Sequence, residues 1–183
     1  VSTDDVARVR SQYSLPQEFV LFVGTQEPRK NLARLVEALA AMGDAPPLVV
    51  VGMDGWGDSG VSVTHDVILT GYVPAADISA LYAACSVFVL PSVLEGYGLP
   101  VIEAMAHGAA VVTSQGTSTE EVAGGAAVLV DPFSIESIAE GIRTALVNRE
   151  ELRRQGLVRA AKVPWSATAE ATARVYRHVM GSK

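Results

Sequence analysis

Cysteine is almost missing from this chain, with Cys85 the single one among 183 residues. One thiol cannot close an internal disulfide, which excludes a stapled secreted scaffold and fits a reduced, cytoplasmic setting. Its place within an apolar helical pattern makes packing its expected role. Basic residues are also scarce: 14 Lys and Arg stand against 20 Asp and Glu, for a net charge of -6 and a pI near 5.0. With no basic stripe to release counterions from a phosphate backbone, nucleic acid is excluded as a partner. Long hydrophobic runs are absent, since none approaches the roughly 20 apolar residues that span a bilayer, and no secretory leader opens the sequence. A soluble domain is expected, one that can still work at a membrane surface.

Two phosphate-binding signatures are lacking as well. Neither G-x-G-x-x-G after a strand nor G-x-x-x-x-G-K-[ST] occurs, which argues against dinucleotide and P-loop folds. His65, His107 and His178 show no metal-ligand spacing, and Asp54, Asp58 and Asp66 are scattered through loops, so neither a metal nor a cofactor is expected. His107, near a helix C-terminus, is expected to be favoured there by the macrodipole.

What is present is apolar content, 49% against 19% charged residues, enough for one well-packed domain over residues 1–183. Six short runs read as strands: Phe19–Val23, Leu48–Val51, Val67–Leu69, Val87–Leu90, Ala110–Thr113 and Ala127–Val130. They are almost wholly apolar, as strands covered on both faces are, and helical spacing lies between most of them. The expected fold is α/β, a three-layer, doubly wound parallel sheet of about six strands.

Leu32, Leu35, Val36 and Leu39 make the first helical stripe and Gly43 ends it. Ile78, Leu81, Tyr82 and Cys85 repeat the pattern, and Pro100 and Gly108 bracket a third helix. Ser118 and Glu121 have capping-box spacing. Helices at Ile135–Val147, around Glu150–Leu157, and at Ala167–Met180 close the chain.

In an open parallel sheet, ligands bind where strands end and helices begin. Gly24-Thr25, Gly52, Gly71-Tyr72, the stretch from Pro91 through Gly98, and Thr113-Ser114 all fall at that edge. Arg29-Lys30 precede a helix N-terminus, where cations are disfavoured unless an anion joins them. A diphosphate would satisfy a guanidinium fork and an ammonium together. Taken alone, the pair also reads as two solvated side chains.

Glu95-Gly96-Tyr97-Gly98-Leu99-Pro100-Val101-Ile102-Glu103 places two carboxylates eight positions apart. The glycines let backbone approach a ligand closely, although a plain turn would also use them. Glu103 sits among Val101, Ile102, Ala104, Met105 and Ala106, where a buried charge would need a partner. A first-turn carboxylate favoured by the dipole is the simpler alternative. Together the two glutamates suit sugar hydroxyls, which donate well to ionised oxygens.

Three blocks in order carry a family resemblance: Gly24-Thr25-x-x-Pro28-Arg29-Lys30-Asn31, then Gly71-Tyr72-Val73, then Glu95-Gly-Tyr-Gly-Leu-Pro-x-x-Glu103-Ala-Met-Ala. From about residue 13 to about residue 180 the chain resembles the C-terminal, donor-binding half of a retaining glycosyltransferase of family 4, of the two-domain GT-B type. The resemblance implies transfer of a hexose from a nucleoside-diphosphate sugar, GDP- or UDP-linked, with retention and no required metal. Arg29 and Lys30 would hold the diphosphate and stabilise the leaving nucleotide. Glu103 would bind the ribose, and Glu95 with the backbone of Gly96, Tyr97, Gly98 and Leu99 the transferred sugar and phosphates. Gly24 and Thr25 would face the phosphates, and Gly71, Tyr72 and Val73 would border the base. The Gly-Thr-x-x-Pro-Arg-Lys-Asn variant is similar to mannosyltransferases that use GDP-mannose for glycan or lipid-linked acceptors, so the parent is expected to act peripherally at the inner membrane face.

Two departures stand out. Thr119-Glu120 occupies positions where relatives often carry Leu-Pro, which opens the path of that loop to question. Val1 is not an initiator methionine, and no acceptor-binding half precedes the first helix. That half is expected to lie outside this chain, with a helix bearing Trp165, Val175, Tyr176 and Val179 crossing back to it, and the isolated domain is expected to transfer little. Two alternatives remain at this level: another GT-B enzyme, such as a UDP-sugar transferase, an epimerase or a phosphorylase, or a non-catalytic doubly wound interaction module.

Overall fold

Six strands, β1 (Val20–Val23), β2 (Leu48–Val51), β3 (Val67–Gly71), β4 (Val87–Leu90), β5 (Val111–Ser114) and β6 (Val128–Val130), form one sheet in the order β3-β2-β1-β4-β5-β6. Every neighbouring pair is parallel. The computed structural model describes residues 1–53 and 66–181; Asp54, Asp58 and His65 lie outside them.

The chain runs outward from β1 to β3 and then returns to place β4 beside β1. Because parallel crossovers are right-handed, reversing the winding direction sends the helices to opposite faces. On one face α2 (Leu32–Met42) packs against α6 (Ile135–Val147). On the other, α1 (Thr3–Gln12), α3 (Ala75–Ala84), α4 (Leu99–Ala106) and α7 (Arg149–Ala161) pack in succession. Covered on both sides, β2, β4 and β5 are buried along their whole length, which is why their sequences do not alternate. All six expected strands form, and the expected doubly wound, three-layer architecture is the one observed.

The helix ends agree with the sequence to within about four residues, α7 running on to Ala161 and α8 starting at Trp165, except at two places. No element was expected at Thr3–Gln12, yet α1 is there, started by a capping box in which Ser2 Oγ accepts from the Asp5 N–H and the Asp5 carboxylate accepts from the Ser2 N–H. The short helix α5 (Ser118–Ala123) is capped by Thr117, one residue before the expected Ser118. Glu120, not Glu121, reaches back to a backbone N–H, that of Gly116, at 2.6 Å. Ser118 is thereby released for a contact described below.

A buried carboxylate fastens α1 to α3. Asp77 accepts from Arg8 at 2.6 Å and from the Tyr13 hydroxyl at 2.9 Å. Those hydrogen bonds, Arg8 first, hold its carboxyl below the usual range. Because the folded value lies below the unfolded one, the stabilisation is complete above about pH 4 and is lost as acid protonates the folded carboxylate. Asp77→Asn is expected to lower the melting temperature by a few degrees at pH 7 and by less at pH 3. Equal losses at both pH values would sink the assignment.

The last helix, α8 (Trp165–Gly181), buries none of its residues. Val175, Tyr176 and Val179 form an exposed apolar row, each more than 60% exposed. Among the described residues no helix is long and apolar enough to cross a membrane.

Candidate functional site

β1 and β4 are neighbours in the sheet, but their chains leave in opposite directions, which opens a crevice at their carboxyl ends. From β1 the chain enters Gly24, whose N–H donates to Val51 O at 2.8 Å, and then a turn closed by a 3₁₀ segment at Pro28–Lys30. Asn31 ends that segment in the left-handed region, with φ of 63°. An asparagine tolerates this conformation better than most residues. Its side-chain amide donates to Pro91 O at 2.9 Å and Pro132 O at 2.7 Å, so one buried residue ties together the exits of β1, β4 and β6. The Val93 N–H donates to Arg29 O at 2.8 Å and fixes the same turn from the β4 side.

This stitching brings Arg29 and Lys30 against Glu95. Arg29 Nη1 lies 3.0 Å from one Glu95 oxygen and Lys30 Nζ 3.1 Å from the other. Ser92 Oγ donates to the oxygen that Lys30 holds, at 2.9 Å. The carboxylate and the ammonium are both less than a tenth exposed, while the guanidinium is 36% exposed and reaches the opening. Arg29 is held from behind by Glu27 at 2.7 Å, and Glu27 accepts from Thr25 at 2.5 Å. The Thr25 hydroxyl first, and the Arg29 charge after it, hold the Glu27 carboxyl below its ordinary range. Lys30 lies along the Gly24 backbone: a Cβ at Gly24 would stand 2.9 Å from its Nζ.

The Gly-Tyr-Gly turn is shaped from below. Gly98 caps α4 with φ of 100°, and a Cβ there would meet the Thr119 methyl at 2.8 Å. Ser118 Oγ donates to the Glu95 carbonyl at 2.9 Å. Thr119, at the position that departs from the resemblance, therefore lies under the turn, and Tyr97 is left 53% exposed above it. Leu99 begins α4 and Gly96 is exposed.

Glu103 needs a different account. It is exposed, and it sits in the second turn of α4, beyond both the buried setting and the first-turn setting considered for it. Its oxygen lies 3.4 Å from the hydroxyl of the buried Tyr82. The helix turns the apolar Val101, Ala104 and Met105 inward and this carboxylate outward, so no burial cost has to be met. Tyr82 also stacks on His107, ring centroids 6.0 Å apart. Burial pushes the His107 imidazole below its ordinary value, so the dipole at that helix end does not hold it charged. Cys85 is buried as expected, and burial pushes its thiol up to about 12.

Over the ends of β1, β2 and β3 lies an open hollow of about 500 Å³. Gln26, Gly52, Met53, Leu69, Gly71 and Tyr72 line it, with Tyr72 74% exposed and Met53 62% exposed. Val73 is only 3% exposed and belongs to the core, so its side chain does not border the hollow. A more apolar hollow of about 330 Å³ lies between Tyr97, Leu99, Ile102 and the start of α8 at Trp165. Among the described residues no group of three His, Cys, Asp or Glu is placed to hold a metal ion.

Of the thirteen residues singled out from the sequence, Gly24, Thr25, Arg29, Lys30, Glu95, Gly96, Tyr97, Gly98 and Leu99 share the crevice. Gly71 and Tyr72 belong to the adjoining hollow, Glu103 stands on the α3 side, and Val73 is buried. Glu27, Asn31, Ser92 and Ser118 hold the site and were not singled out. Asn31 stood in the Arg-Lys-Asn block, Ser92 in the stretch after β4, and Ser118 was read as a helix cap.

Residues 5–162 match the family model described as glycosyl transferases group 1. The chain is 35% identical over 184 residues to the O-antigen chain mannosyltransferase B of Escherichia coli, covering 92% of this chain and 48% of that protein. It thus spans about half the length of that relative. Sucrose-phosphate synthase from Thermosynechococcus elongatus superimposes with a TM-score of 0.84 at 27% identity, covering 97% of this chain and 49% of that one. The Anabaena protein HepE, solved in complex with UDP-glucose, superimposes at 0.75 and 22% identity over 88% of this chain and 48% of its own.

Proposed function

The chain belongs to the group 1 glycosyl transferases, and from that membership we propose that it is the nucleotide-sugar-binding half of a retaining hexosyltransferase. The observation that carries this reading is the meeting of Arg29, Lys30 and Glu95 at the switch point of the sheet. Two cations at a crevice beside a helix N-terminus suit a diphosphate, and a carboxylate beside them suits sugar hydroxyls.

The diphosphate lies on Arg29, Lys30 and the backbone after Gly24. The sugar faces Glu95 and the turn from Gly96 to Leu99, and the ribose hydroxyls face Glu103. The base occupies the hollow under Tyr72, whose exposed ring offers a stacking surface. When the bond from the anomeric carbon to the diphosphate breaks, the electron pair stays on the phosphate oxygen. Arg29 and Lys30 stabilise that charge in place, with little reorganisation. No bound metal or cofactor is required by this scheme.

Mannose is the favoured hexose and GDP the favoured carrier. The similarity to an Escherichia coli mannosyltransferase supports the first, and the Arg-Lys-Asn block supports the second. The UDP-glucose held by HepE keeps UDP as the competing carrier. The acceptor, a glycan or a lipid-linked one, would enter from a second half facing Tyr97 and α8, and the 183 residues alone would bind donor weakly and transfer little.

A calorimetric panel of GDP-mannose, UDP-glucose and UDP-N-acetylglucosamine, with melting curves in GDP and UDP, tests the reading. One nucleoside diphosphate is expected to raise the melting temperature, and Arg29→Ala to abolish that rise. The reading fails if neither diphosphate shifts the curve at millimolar concentration.

A further inference from the structure

Glu95 uses both of its oxygens on the cations of the site, one on Arg29 and one on Lys30, with Ser92 steadying the second. Among the described residues Lys30 has no other ion pair. Both cations are therefore already paired with the protein's own carboxylate.

We propose that Glu95 contests Arg29 and Lys30 with the incoming diphosphate, and so makes the site prefer an intact sugar nucleotide over a free nucleoside diphosphate. This rests on the donor-binding reading above. A bare diphosphate that takes the two cations must break both ion pairs and leave a carboxylate facing phosphate charge, with nothing returned to it. A sugar nucleotide breaks the same pairs but brings hydroxyl donors to the displaced oxygens. Once the sugar has been transferred those donors leave, and the carboxylate returns to the cations as the nucleoside diphosphate departs. Glu95 thereby discriminates substrate from product through one exchange of partners.

Glu95→Gln keeps the shape and removes the competing charge. Without ligand it is expected to melt below the wild type, because the buried Lys30 ammonium loses its counter-ion. Inorganic pyrophosphate should then stabilise it more than it stabilises the wild type and bind roughly tenfold tighter, as Arg29 and Lys30 are no longer contested. The preference for sugar nucleotide over the matching nucleoside diphosphate should fall by a similar factor.

Pyrophosphate binding no tighter in Glu95→Gln than in the wild type, with sugar nucleotides still bound by the wild type, would overturn the contest and keep the donor reading. Tighter pyrophosphate binding with no response of either protein to any sugar nucleotide would overturn the donor reading, and with it the discrimination, and keep only the contest for the cations. If Glu95→Gln does not fold, Ser92→Ala frees the carboxylate while keeping every charge. It is expected to bind pyrophosphate a few-fold tighter, and equality with the wild type would overturn the proposal.

Discussion

Gly52→Ala is expected to lower the free energy of unfolding by about 2–6 kcal/mol, the sum of an overpacking cost and a strained backbone cost. Gly52 follows β2 with φ of 142°, a conformation that side-chain-bearing residues rarely adopt. A Cβ there would lie 2.1 Å from the Gly24 carbonyl oxygen and 2.6 Å from its carbon. The obstacle is backbone, and it is backbone already committed: the Gly24 N–H donates to Val51 O, and the Gly52 N–H donates to Gly71 O at 3.0 Å. Relief therefore requires the exits of β1, β2 and β3 to separate. Gly24→Ala makes a useful contrast: it shares the backbone strain, with φ of 152°, but its Cβ meets the end of the Lys30 side chain, which can move, rather than fixed backbone. Denaturant titration should show a large shift of midpoint for Gly52→Ala and a smaller one for Gly24→Ala. Equal midpoints for Gly52→Ala and the wild type would show that this edge relaxes freely.

Lys30→Met is expected to weaken nucleoside diphosphate binding by about 10- to 100-fold, since a hydrogen bond to a charged group is worth roughly 1.5–3 kcal/mol. Methionine retains most of the chain that lies over Gly24 and removes the ammonium. Arg29 still pairs with Glu95, so the fold should persist with a melting temperature close to that of the wild type. The affinity ratio by calorimetry is the measurement. Unchanged affinity in Lys30→Met would place the anion elsewhere.

The fold was open to sequence reasoning because burial leaves a strong local mark. The runs that become β1, β2, β4 and β5 are almost wholly apolar because they are almost wholly buried, and Gly43 and Pro100 sit where helix ends need them. Helix α1 escaped because only Val9 within it is buried, so its apolar stripe is faint and its clearest signal is the Ser2–Asp5 cap. The cap of α5 was misplaced by one residue because Thr117 and Ser118 both carry hydroxyls and Glu120 and Glu121 both carry carboxylates. Only tertiary contact decides which hydroxyl caps, and Ser118 goes to the Glu95 carbonyl.

The same limit applies at the site. Arg29, Lys30 and Glu95 were identifiable from charge type and position at strand exits. Their direct pairing was not, because it joins positions 66 and 65 residues apart. Reading the cations as partners of a diphosphate and Glu95 as a partner of sugar hydroxyls missed that one neutralises the others. Glu103 misled for the reverse reason: apolar neighbours in sequence suggest burial, yet a helix turns adjacent residues to different sides.

The placement of β4 beside β1 has a kinetic consequence. Their pairing, Val20 with Val87 and Leu21 with Phe88, closes a loop of nearly seventy residues and must follow the folding of much that lies between. Contacts so distant along the chain form late, since the entropy of closing the loop is lost before they return anything. The ion cluster hangs on that pairing, so a refolding chain is expected to gain its affinity for anions only after β4 has joined β1. An anion that binds the finished crevice would therefore slow unfolding far more than it speeds folding, and would act as a latch on the completed sheet.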